Sequence, residues 1–147
     1  MSAYKRVLLV VDLLEHSERI GRRARAIAEA NGAELELLHV LEYAPIEPLG
    51  ETLMPAIEIE DELLDRARRK LSELAAKLGL TDAPCYVAAG SIKSEILRTA
   101  IEHEVDLIVM GARERHGLAI LVNFTEDTVL HAAPCDLLAV RVRDRNV

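Results

Sequence analysis

Five short apolar runs recur along this chain: RVLLVVD at 6–12, ELELLHVL at 34–41, PCYVAA at 84–89, DLIVM at 106–110 and CDLLAVRV at 135–142. Most are rich in leucine and β-branched residues without strict polar alternation, the pattern of strands covered on both faces. No hairpin turn joins any two of them. The segments between them are long enough for crossovers, and most repeat their apolar residues at helical spacing. Strands of this kind, joined this way, form a parallel sheet with helices on both faces.

The crossovers can be read individually. Ser17 is placed to cap a helix whose stripe is Ile20, Ala24, Ile27 and Ala28, and Asn31-Gly32 stops it. Three prolines and a glycine at 43–55 predict an irregular connection. A long helix is expected from about 57 to 78, with Leu64, Ala67, Leu71, Leu74, Ala75 and Leu78 inward, and Glu62–Arg66 and Asp65–Arg69 as exposed i,i+4 pairs. Gly90-Ser91 turns and caps a third helix with Ile92, Ile96, Leu97, Ala100 and Ile101 inward, and a short fourth helix spans 125–131. The expected fold is therefore α/β, a single doubly wound five-stranded parallel sheet interleaved with four helices. In such sheets ligands sit beyond the carboxyl ends of the strands, where strand order reverses. Here those ends are Asp12, Val40 to Glu42, Gly90 and the loop from Gly111 onward.

A length of 147 residues is that of one ordinary domain, 1–147, large enough to bury a core without metals or disulfides. The net charge of −7 argues against nucleic acid as a partner, because phosphates call for a basic face, and 3% aromatic residues leave little on which to stack bases. No apolar run approaches the roughly 20 residues of a membrane span, and Asp12 follows too soon for a secretory leader, so a cytoplasmic protein is expected. Cys85 and Cys135 form no C-x-x-C pair and adjoin strands; both read as small apolar residues rather than disulfide partners, and Cys135, following Pro134 at the strand entrance, reads as buried and inert.

The segments YKRVLLVVDLLEHS, AELELLHVLE, G-S-I-K-S-E-I, VDLIVMGAR and HAAPCDLLAVRV, in that order over nearly the whole chain, resemble the universal stress protein family. The resemblance implies a Rossmann-like fold related to the adenine nucleotide alpha hydrolases, and a stress-responsive cytoplasmic protein. It also implies a homodimer formed through the last strand, 135–142. An apolar strand at a sheet edge independently favours pairing, and a twofold would make that pairing antiparallel.

The family's nucleotide-binding branch carries G-x-x-G, nine residues, then G and Ser or Thr, after the fourth strand. In this chain Gly111 and Thr125 match the first and last positions, while Glu114 and Phe124 replace the second and third glycines. A side chain where glycine served a left-handed backbone costs roughly 1 to 2 kcal/mol, and Phe also fills space that a phosphate approaches. Glu114 adds a like charge, worth about 4 kcal/mol at 4 Å and an effective dielectric of about 20 at the upper end. Glu126 and Asp127 fall in the first turn of the next helix, where their carboxylates occupy the place of an anion. Against this stand Arg113, Arg115 and His116, which can reach a polyphosphate from side chains. If a nucleotide is bound, the residues that the resemblance and the strand ends indicate are Asp12, Val40, Gly111, Arg113, Arg115 and Thr125.

No other constellation carries chemistry. The five histidines show no i,i+4 pair, which excludes a local zinc motif, and His39 reads as a hydrogen-bonded strand histidine. Ser17, Ser91 and Ser94 lack a nucleophile elbow. The sequence thus predicts a non-enzymatic, dimeric interaction or regulatory protein with no cofactor and with protein partners it does not name. The alternatives are an ATP or AMP sensor using Mg and the two arginines, and a small-ligand carrier whose pocket is lined by Leu118 to Val122 and Phe124.

Overall fold

In the computed structural model the described residues are 2–42, 53–113, 129 and 131–142; for 53–58 and 113 the description is of the backbone alone. The elements are β1 (Arg6–Val10), α1 (Ser17–Asn31), β2 (Glu34–Glu42), α2 (Leu53–Lys77), β3 (Cys85–Gly90), α3 (Ile92–Glu102), β4 (Leu107–Arg113) and β5 (Asp136–Val142), with helical backbone also at 129, 131 and 132. All five strands are parallel, in the order β3-β2-β1-β4-β5.

Two cores follow from the pleat. Val7, Leu9, Leu35, Leu37, Leu107, Val109, Val140 and Val142 point to one face, where Ile20, Ala24 and Ala28 of α1 and Leu71, Leu74 and Ala75 of α2 cover them. Leu8, Val10, Leu38, Val40, Ile108 and Met110 point to the other, under Ile96 and Ala100 of α3 and Val129. Because every central strand is buried on both sides, its residues need no polar alternation. The expected doubly wound α/β sheet is the observed one.

Several boundaries differ from the sequence reading. Helix α2 begins at Leu53, so Pro55 lies in its first turn, where a missing N–H costs nothing because that donor has no intrahelical acceptor. Residues 43–52 of the expected irregular connection lie outside the described residues. Ser17 is the first helical residue of α1 and not its cap; His16 takes the cap position, and its side chain does not bond the helix's first-turn N–H groups. On α3, Ile101 is 63% exposed and Thr99 is buried in its place. The stripe through Ile92, Ile96 and Ala100 leaves position 101 one helical step away, and Thr99 can be buried because its hydroxyl donates to the Glu95 carbonyl at 2.8 Å. Asp65 pairs with Arg68 at 2.9 Å rather than with Arg69. Ser91 caps α3 as expected, accepting from the Ser94 N–H at 3.4 Å.

Candidate functional site

The strand register creates an opening at the carboxyl edge of the sheet. β1 and β4 are paired only from Val7–Leu107 to Leu9–Val109. Beyond that point β1 stays with β2: the Val11 N–H donates to the Leu38 carbonyl at 3.0 Å, and the His39 Nδ1–H donates to the Val11 carbonyl at 2.8 Å. β4 stays with β5, in register from Met110–Ala139 to Arg113–Val142. The two halves of the sheet therefore part between β1 and β4, where strand order reverses, the place an open α/β sheet offers a ligand.

Asp12 stands at one lip of this crevice. One of its carboxylate oxygens, Oδ1, accepts from the Leu14 N–H at 2.9 Å and from the buried Ser17 hydroxyl at 3.2 Å. This turn holds Leu13 at φ +61°, a left-handed conformation that costs a leucine roughly 1 kcal/mol or more. Part of what Asp12 does is thus structural, tying the β1–α1 loop to the first turn of α1.

Gly111 lies on the opposite lip. A Cβ on Gly111 would stand 2.5 Å from Cδ1 of Ile20 and 3.8 Å from Cγ2 of Val142. Ile20 belongs to α1 and is 5% exposed, so this position is small because α1 packs down on β4 there. Arg113 closes β4 opposite Val142. The Val40 side chain is 7% exposed and packs in the core beneath α3, so it is the Val40 backbone that this strand end offers to a ligand. Arg115 and Thr125 lie outside the described residues, as do Glu114, His116, Leu118, Val122, Phe124, Glu126 and Asp127.

The remaining titratable groups are arranged for structure. His39 is hydrogen-bonded and half-buried, as read from its strand. His103 pairs through Nδ1 with Glu36 at 2.7 Å and meets the Tyr86 ring edge-on at 5.0 Å. Nothing in the sequence announces that cluster, whose members come from β2, β3 and the end of α3. Cys85 is exposed at the start of β3, and Cys135 is half-buried rather than fully buried as expected; both are free thiols. Burial of their surroundings pushes both thiols above the usual cysteine range. Among the described residues no three His, Cys, Asp or Glu side chains are grouped to hold a metal. No described helix is long and apolar enough to cross a membrane.

A five-stranded parallel sheet wound on both faces and split at its switch point defines a Rossmann-like α/β protein. The universal stress protein family profile matches residues 3–141. Universal stress protein A homolog 2 of Coxiella burnetii is 33% identical over 97% of this chain and 99% of its own. Among solved structures, universal stress protein UspA from Lactobacillus plantarum superposes with a TM-score of 0.73 at 26% identity, covering 96% of this chain and all of that one. A universal stress protein solved in complex with cAMP gives a TM-score of 0.60, also at 26% identity, covering 95% of this chain and 98% of that one. The chain belongs to the universal stress protein family.

Proposed function

We propose that this chain is a stress-response interaction protein of the cytoplasm that acts as a homodimer, catalyses no reaction and does not bind ATP. The observation that carries the reading is the contact between Gly111 and Ile20. Of the three glycines in the family's phosphate loop this chain keeps only the first, and its lack of a Cβ is accounted for by helix packing, with no phosphate needed. Glu114 and Phe124 replace the other two, and the loop region carries its own carboxylates at Glu114, Glu126 and Asp127.

The homodimer is assigned to strand 135–142. β5 is one edge of the sheet, and an unpaired strand edge is completed by a second copy across a twofold axis. Titration calorimetry with adenine nucleotides tests the reading.

A second reading is favoured by the crevice between β1 and β4 and by the related protein solved with cAMP. In it Asp12 and Gly111 flank an adenine nucleotide, ATP or AMP with Mg, and Arg113 and Arg115 replace the glycine backbone as the phosphate ligands. That reading requires Arg113→Ala or Arg115→Ala to weaken nucleotide binding, whereas the first has no affinity to lose.

A further inference from the structure

Helix α2 is longer than the sheet it covers. It runs for 25 residues, yet among its described side chains, which begin at Ile59, none before Ala67 is fully buried and only Glu60 and Leu64 are half-buried, so about 12 Å of described helix, residues 59–66, lies largely outside the core. On this projecting part Ile59 is 57% exposed and Leu63 is 40% exposed, one turn apart on one face. The same face continues through Arg66, Lys70, Glu73 and Lys77, a spacing of four and three residues that describes a helix-pairing seam.

Charge along α2 is segregated. Glu60, Asp61, Glu62 and Asp65 are followed directly by Arg66, Arg68, Arg69 and Lys70. Such a helix is complementary to itself when turned end for end, the arrangement a twofold axis produces. Near the basic end, Lys70, Glu73 and Lys77 face Leu14, Glu15 and Glu18 across a cleft of about 400 Å³, and Leu14 is 51% exposed there.

The geometry points to α2 as a second self-association surface, on which the α2 of another copy lies antiparallel along the seam of Ile59, Leu63, Arg66 and Lys70. In this register Ile59 of the second copy reaches the stem of Lys70 and the exposed Leu14 at the cleft. Leu63 lies on the stem of Arg66, where the long cationic side chain covers apolar surface while keeping its charge in water. Glu62 faces Arg69 of the second copy, and the relation repeats across the twofold. Leu14, Ile59 and Leu63 are three of the five large apolar side chains exposed among the described residues, and one contact covers all three. The seam lies on the helix over β2 and β3, away from the β5 edge, so it is independent of the pairing through that strand and joins dimers into tetramers.

Sedimentation velocity of the full chain tests it. The wild-type protein is expected at twice the mass of an Ile59→Asp/Leu63→Asp variant at the same micromolar concentration, with unchanged circular dichroism because both positions are exposed. Glu62→Arg or Arg69→Glu alone should weaken the larger species about tenfold or more, and the double exchange Glu62→Arg/Arg69→Glu should recover it to within about threefold. Pairing through β5 persists in every one of these variants, so loss of the dimer itself would count against the functional reading and not against this seam. Equal masses for the wild type and the Ile59/Leu63 variant, or single charge reversals that the double exchange does not rescue, overturn it.

Discussion

Cδ1 of Ile20 occupies the space where a Cβ on Gly111 would stand, 2.5 Å away. This one contact ties the first glycine of the degenerate loop to the packing of α1 on β4, and it leads directly to a measurable coupling. Gly111→Ala should destabilise the protein by about 1 to 2 kcal/mol through overpacking, and Ile20→Val by about 1 kcal/mol through loss of a methylene. The double variant should be more stable than the sum of the two predicts, because Val lacks the atom that collides. Urea denaturation of the four proteins checks it; strict additivity would mean the two side chains do not compete for that space.

Glu104 sits at φ +53° just past the end of α3. The Val105 N–H donates to the Ala100 carbonyl at 2.9 Å and the Glu104 N–H to the Ile101 carbonyl at 3.3 Å, the paired bonds of a helix stop that usually uses glycine. Glu104→Gly is therefore expected to stabilise the protein by about 0.5 to 1 kcal/mol, and thermal unfolding should move up by about 2 to 4 °C. A lowered midpoint would show that the Glu104 side chain contributes more than its backbone strain costs.

Burial raises both thiols above the ordinary cysteine range, so less thiolate is present at neutral pH than in a free cysteine. Alkylation by iodoacetamide at pH 7.5 should be slower than for a cysteine-containing peptide. The rate should keep rising above pH 9, where the peptide's rate levels off. Rapid labelling of either residue at neutral pH would contradict this environment.

The proposed pairing through β5 predicts at least a dimer at micromolar concentration. Ala139 is exposed on that edge strand, and Ala139→Pro removes one backbone donor from it. Light scattering should then give half the wild-type mass, whether a tetramer falls to two copies paired through α2 or a dimer falls to monomers. A monomeric wild-type protein would defeat the assignment.

Much of this fold was legible because the central strands are apolar on both faces and the helices between them carry stripes of period 3.6. Gly32 and Ser91 marked helix ends for the ordinary reasons of a left-handed stop and a side-chain cap. Pro55 misled because proline breaks helices only beyond the first turn, and Ile101 misled because hydrophobicity alone does not say on which side of a stripe's edge a residue falls. The site was less legible. Val40 was placed correctly on its strand but faces the core, which follows from the pleat rather than from composition. The backbone strain at Leu13 and the pairing of His103 with Glu36 arise from tertiary placement and leave no local pattern.

Titration calorimetry of the purified, nucleotide-stripped protein with Mg-ATP, repeated with AMP and cAMP, is the most direct test of the central claim. The account predicts no heat of binding and no thermal stabilisation up to millimolar nucleotide. Micromolar binding, lost on Arg113→Ala or Arg115→Ala, would contradict it and make the protein a nucleotide sensor whose arginines have taken over from the glycine loop.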